Sequence, residues 1–186
     1  MKRTVLTFGL IAGAILSAMM LLTIPFQDEI GFERGAVIGY TTMVLAFLLI
    51  YFGVRSYRDN VAGGTIRFGR AFVVGGLIAV VASLCYVATW QVVYYKLAPD
   101  FMTKYQAHVL EKARADGESE EVLAQRREEM GRFVELYRNP AFNMGMTFLE
   151  PMPVALLVVL VSAGVLSRRN RGASTAETGS AASGTG

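Results

Sequence analysis

Charged and apolar positions fall into separate long blocks along this chain instead of alternating. Four apolar runs, 4–26, 35–54, 71–95 and 142–166, contain a single charged residue between them, Glu150. About 20 mostly apolar residues at 1.5 Å each cross the roughly 30 Å hydrocarbon layer of a bilayer. Each run is long enough to do so, and the pattern predicts an all-α integral membrane four-helix bundle. Residues 96–141 are the one sizeable hydrophilic excursion. Within it Phe101, Tyr105, Val109 and Ala113 recur on one helical face, and Val122, Leu123, Met130, Phe133, Val134 and Tyr137 form a second stripe. Asp116-Gly117 interrupts the two, Pro99-Asp100 suits the start of the first and Asn139-Pro140 ends the second. Ser119 can cap the second helix, with Glu120 and Glu121 favourable against its dipole. These signals predict an amphipathic helical hairpin folded over the membrane surface or on itself. The alternative is that both helices lie flat in the interface.

The connections are short. Residues 27–34 read as an acidic connector with Asp28, Glu29 and Glu33, and residues 55–70 as a basic loop with Arg55, Arg58, Arg67 and Arg70 around the turn signal Gly63-Gly64. The first run is longer than the 7–15 apolar residues of a secretory signal and is followed by further spans, so it is expected to stay as an uncleaved helix. Small residues repeat every four positions at Gly9, Gly13 and Ser17, at Gly31, Gly35 and Gly39, and at Gly75, Ala79 and Ser83. Such faces let neighbouring helices approach closely. Residues 172–186 are almost wholly Gly, Ala, Ser and Thr and are expected to be disordered, leaving 1–171 as one membrane domain.

Composition narrows the chemistry. The 186 residues are 53% hydrophobic with net charge +3, and the basic residues form no patch interleaved with aromatics, which excludes nucleic acid as an expected partner. One cysteine, Cys85, and one histidine, His108, provide neither a disulfide within the chain nor a Cys-based metal site. No GxSxG elbow, GxxxxGK[ST] loop or HExxH pair is present. No enzymatic activity and no cofactor are therefore expected. Lys2 and Arg3, the four arginines of 55–70, and Arg168, Arg169 and Arg171 flank the spans on one side. By the positive-inside rule both termini and the basic loop are cytoplasmic, the membrane is the cell (inner) membrane, and the hairpin lies outside.

Glu150 is the candidate for function, because a bare carboxylate in hydrocarbon is expensive and is normally turned toward protein or water. At helical spacing Asn143 and Thr147 share its face, which continues as apolar Val154, Leu157 and Val161. Pro151 and Pro153 free backbone carbonyls one turn earlier and should kink the helix. A protonated Glu150 could donate to such a carbonyl, to Gln91 or to a tyrosine. Tyr86, Trp90 and Tyr94 repeat toward the far end of the third run, either as an interfacial belt or lining a polar cavity with Gln91. Three readings of Glu150 stand: a pin for the kinked helix, a site for an ion, proton or ligand, and a helix-end residue reaching interfacial water. The arginines of 55–70 suit anionic lipid head groups.

Several short motifs occur together in order: Phe52-Gly53-Val54-Arg55, Tyr57-Arg58-Asp59, Gly64-x-Ile66-x-Phe68-Gly69-x-Ala71-Phe72, Pro99-Asp100-Phe101 and Phe148-Leu149-Glu150-x-x-Pro153. Across residues 5–165 the chain resembles the bacterial domain-of-unknown-function 4199 family of four-span membrane proteins. The resemblance implies that Tyr57, Arg58, Asp59 and Glu150 are family-type positions. It brings no activity, cofactor or catalytic residue with it. The functional expectation is a non-enzymatic interaction or accessory protein of the cell envelope, bound in the lipid bilayer, with a membrane protein or a second copy of itself as partner. The alternative is a small transporter or ion-coupled protein using Glu150.

Overall fold

The computed structural model describes residues 1–168. The tail 172–186, and Arg169 and Arg171 of the basic flank, lie outside the described residues. Among the described residues the chain is all-α. Helix α1 (Lys2–Thr23) runs through a 3-10 turn (Ile24–Phe26), with Pro25 near its start, into the short α2 (Gln27–Ile30). Helix α3 (Phe32–Asn60) returns, and α4 (Phe68–Val92) follows and widens into a π-helical turn (Val93–Leu97). The excursion folds as α5 (Phe101–Ala115) and α6 (Glu120–Tyr137), and the last span is α7 (Pro140–Leu149) and α8 (Met152–Arg168). Four helical stretches, 2–30, 32–60, 68–97 and 140–167, are long and apolar enough to cross a membrane. Their outward faces carry Leu10, Leu22, Val37, Leu45, Leu84 and Leu157, all 45–67% exposed. In lipid such a surface is solvated, and this is a multi-pass membrane protein.

Three boundaries differ from the sequence reading. The acidic connector 27–34 is helical except at Gly31, whose φ of 76° lies in the left-handed region and turns the chain in one residue. A flexible loop was not needed because the acidic residues sit in first turns, Asp28 and Glu29 in α2 and Glu33 in α3, where they oppose the helix dipole. The basic loop 55–70 shrinks to 61–67: Arg55 and Arg58 belong to the last turns of α3 and Arg70 to the first of α4. The π turn carries the third span on to Leu97.

Helix α4 is the hub, packed against α1, α3 and α8, with α7 on its later half. Helices α1 and α4 run parallel in a constant register. A Cβ on Gly9 would meet Val81 at 2.7 Å and one on Gly13 would meet the Cys85 Cβ at 2.6 Å, and the Ser17 and Thr89 hydroxyls lie 2.7 Å apart. The first small-residue face thus does what its spacing predicted. So does Gly75, where a Cβ would meet Ile50, Val54 and Val159 at 3.1–3.4 Å. The half of the bundle near residues 61–67 is close-packed around Ala46, Phe47, Ile50, Val54, Val74, Ile78 and Ala82, none of which is exposed at all. This is the loop half; the opposite half, under α5 and α6, is the hairpin half.

Gly31, Gly35 and Gly39 do not form a helix-packing groove. Nothing lies within 4 Å of a Cβ on Gly31 or Gly39, and Gly35 meets only the Gln27 side chain. At these glycines no other span among the described residues meets the face of α3, because α3 closes on α8 and not to a comparable extent on α7.

The hairpin is folded onto the bundle. Gly117 (φ 79°) reverses the chain, the Ser119 hydroxyl accepts the Val122 amide at 3.4 Å, and Leu123 and Tyr137 are buried. Val122, placed in the apolar stripe by spacing, is 41% exposed, since the stripe begins one residue later at Leu123. Phe32 of α3 receives the hairpin through Phe101, Tyr105 and His108, at centroid distances of 5.6, 5.5 and 5.1 Å. Lys104 donates to Asp28 at 3.0 Å and Lys112 pairs with Glu33. Both ion pairs are exposed, so their contribution is small beside that of the rings.

Candidate functional site

The last span breaks where its prolines require. Asn139 caps α7, its Oδ1 accepting the Ala141 amide at 2.9 Å with Pro140 in the first helical position. Glu150 and Pro151 separate α7 from α8. The break also turns the face. Asn143 and Thr147 are buried, but beyond Pro151 the buried positions are Ala155, Val159, Ser162, Ala163 and Leu166. The apolar continuation read from ideal spacing is therefore wrong: Leu157 and Val161 are 65% and 58% exposed. A straight-helix count carries no phase across a missing turn.

Helix α7 and its end bring three polar side chains, Asn143, Thr147 and Glu150, to the seam with α4. The Tyr86 hydroxyl donates to Glu150 Oε2 at 3.0 Å, and Gln91 Nε2 donates to Asn143 Oδ1 at 2.8 Å. Trp90 Nε1 donates to the Tyr137 hydroxyl at 3.0 Å; that hydroxyl lies 3.4 Å from Thr147 Oγ1, which in turn donates to the Asn143 carbonyl at 2.8 Å. With Thr147 spending its proton on that carbonyl, Tyr137 is the donor in the 3.4 Å contact. Burial pushes the Tyr137 phenol up, so it remains a neutral donor and acceptor. All six residues singled out as a polar site, Glu150, Asn143, Thr147, Gln91, Tyr86 and Trp90, are thus brought into one seam between α4 and α7. Gln91 and Glu150, named as possible partners, instead bind different groups.

Tyr137 joins this seam from α6, and sequence spacing had hidden it. It closes an apolar stripe, and periodicity reports the ring and not the hydroxyl. A second buried cluster forms around it: Trp90, Val93, Tyr94, Met102 and Tyr137. Trp90 meets Phe101 edge-on at 5.0 Å, and Tyr94 meets Tyr137 at 5.5 Å.

Beside the seam lies a cavity of about 440 Å³. One wall is α1 through Leu16, Met19, Met20 and Thr23, and another is α3 through Ile38, Gly39, Tyr40, Thr42 and Met43. Tyr86, Trp90 and Glu150 form the third, and Phe101, Met102, Tyr105, Phe133 and Tyr137 of the hairpin roof it. The volume falls within the ordinary range of small-molecule sites, about 300–1,000 Å³. Glu150 keeps an accessible surface, and Tyr40, on the opposite wall, is 51% exposed. The mouth lies on this side, where α3 and α7 leave a gap. Among the described residues Glu150 is the only ionisable carboxyl in the lining, and no Lys, Arg or His lines the cavity. Thr42 and Thr23 turn their hydroxyls back onto backbone carbonyls four residues earlier, at 2.8 and 3.0 Å.

A family model described as a protein of unknown function (DUF4199) matches residues 7–168. The chain belongs to the DUF4199 family. No curated protein and no solved structure matches it. Of the positions tied to this family, those at the loop end are architectural in this DUF4199 chain. Tyr57 and Ile66 are 5% and 2% exposed, and a Cβ on Gly53 would meet Ile78 at 2.5 Å. Arg58, 7% exposed, donates through Nε to Asp59 at 2.7 Å, and its carbonyl accepts the Gly64 amide at 2.9 Å, closing the turn. Arg55 reaches Asp59 at 3.6 Å, while Arg67 precedes α4 and Arg70 lies in its first turn, both exposed. The four arginines of the basic segment therefore divide into two pairs and form no single pocket among the described residues. Among those residues no group of three His, Cys, Asp or Glu side chains could hold a metal.

Proposed function

We propose that this DUF4199 protein is a non-enzymatic binding protein of the bacterial inner membrane that takes a small amphiphile into the cavity between α1, α3, α4 and the hairpin. The supporting observation is the cavity itself, walled by apolar side chains and bearing one carboxyl beside its mouth. Closure of helices on their neighbours is complete in the loop half and withheld in the hairpin half. A withheld contact in a membrane bundle is filled by lipid or ligand, because lipid tails solvate apolar walls as well as leucine does. The arginine distribution supports cytoplasmic termini and an extracytoplasmic hairpin. On that threading the cavity faces the outer leaflet, and the exposed Arg55, Arg67 and Arg70 meet anionic head groups of the inner one. The alternative of ion-coupled transport gains less support: below Glu150 the bundle axis is filled by unexposed Phe47, Ile50, Val54, Val74 and Ile78, and among the described residues the buried polar side chains there are Ser83, Ser162 and, at the loop end, Arg58.

Gly39 provides the test, since it lines the cavity and nothing lies within 4 Å of a Cβ placed on it. Gly39→Phe should fill the space without disturbing helix packing. Native mass spectrometry of the protein released from its own membranes should show a retained small amphiphile on the wild type and its loss from the variant. Equal retention in both, or none in either, would overturn the reading.

A further inference from the structure

The lining states what charge an occupant should carry. Glu150 presents a carboxyl to the cavity, and its hydrogen-bond partner is the neutral hydroxyl of Tyr86. Among the described residues no basic side chain lines the space to balance it. An anionic head group would meet a second negative charge in a low-dielectric setting, and a neutral one would leave the carboxylate uncompensated. A cation would satisfy it, and the surrounding rings suit a cation too. Tyr40, Tyr86, Trp90, Phe101 and Tyr105 all line the same space, and aromatic faces attract ammonium groups within about 6 Å. Leu16, Met19, Met20, Ile38 and Met43 offer an adaptable apolar wall for a hydrocarbon tail.

We propose that the cavity selects amphiphiles whose head is a protonated amine or quaternary ammonium, held at Glu150 among the aromatic rings. This rests on the binding reading given above and assigns its ligand class. The ammonium could belong to a free single-chain amine or to a lipid head group. Their shared chemistry is a positive nitrogen on a hydrocarbon tail.

Trp90 is the chain's one tryptophan and lines the cavity, so its fluorescence reports occupancy. The full chain in neutral maltoside micelles is titrated with decylammonium, decyltrimethylammonium, decyl glucoside and decyl sulfate. The two cations should saturate a change in Trp90 emission at concentrations about tenfold lower than the neutral or anionic probe. Glu150→Gln should remove that tenfold preference, bringing the cations to the same concentration range as decyl glucoside. The wild-type series stands alone should the variant fail to fold. A sulfate or glucoside probe that equals the cations in the wild type overturns the charge assignment while leaving the cavity reading intact. Absence of any saturable response, in the wild type as in Gly39→Phe, overturns the cavity reading as well. Phosphatidylethanolamine that displaces decylammonium supports the proposal and places the nitrogen on a lipid; failure to displace supports it with a free amine.

Discussion

The same helices build two halves of different character. In the loop half, α1, α3, α4 and α8 close on one another through small residues set against large ones, and the centre is dry and unexposed. In the hairpin half, α4 instead meets α7 and its end through two hydrogen-bonded pairs and α6 through a third, and α3 stands away to leave the cavity. The four spans that run through both halves have similar mean hydropathy, 2.1–2.4. In a membrane, burial of apolar surface gives little drive for helices to associate, so van der Waals fit and interhelical hydrogen bonds decide where they close. Here fit governs one half and hydrogen bonding the other, and only the second leaves space.

The largest effect expected is at Gly13, where a new Cβ would stand 2.6 Å from the Cys85 Cβ. Gly13→Leu should destabilise the protein by about 3 kcal/mol through overpacking of the α1–α4 contact, measured as a lowered midpoint in detergent unfolding. In the hairpin half, Tyr137→Phe removes the acceptor of the buried Trp90 N–H. The expected loss is about 1–3 kcal/mol, with a shift in Trp90 emission as its signature. Gly39→Ala inverts the sign: with nothing within 4 Å to clash, it should stabilise α3 by about 0.5–1 kcal/mol through helix propensity. A destabilising Gly39→Ala would mean that α3 is packed there after all.

The smallest effect concerns the hairpin's ion pairs. Lys104 and Lys112 are held above the ordinary lysine value by hydrogen bonds to Asp28 and Glu33. A raised lysine contributes below its unfolded value, about 10.4, and loses that contribution as pH climbs through the higher folded value. The protection of α5 amides, with the base-catalysed rise of intrinsic exchange divided out, should therefore hold between about pH 6 and 9 and fall only beyond about pH 10.4. Protection lost near neutrality would assign the docking to other groups.

How far residue order forecast this structure depends on which force was acting. The four spans, the Ser119 cap, the Asp116-Gly117 break and the Gly9–Gly13–Ser17 face depend on neighbours in sequence, and these formed as read. Tyr86, Trp90, Gln91, Asn143, Thr147 and Glu150 were gathered because polar groups in apolar runs must find one another. Which pairs with which was not readable: Gln91 takes Asn143 and Glu150 takes Tyr86 because α4 and α7 run antiparallel, in a register that spacing within one helix does not report. The Gly31–Gly35–Gly39 spacing matched that of the true packing face yet lines empty space. Spacing records that a helix can be approached, not that a neighbour arrives. Tyr137 was missed because its hydroxyl partner lies 47 residues away on α4.

Thiol reactivity compares the halves most directly. In a Cys85→Ser background, one cysteine is placed at Gly39 on the cavity wall and, in a second protein, at Ala46 two turns deeper, where exposure is 0%. The two proteins are then exposed to N-ethylmaleimide in lipid nanodiscs. Gly39→Cys should react at least about tenfold faster than Ala46→Cys, the difference between an open wall and close-packed interior. Equal rates at the two positions would contradict the open cavity on which the functional reading stands.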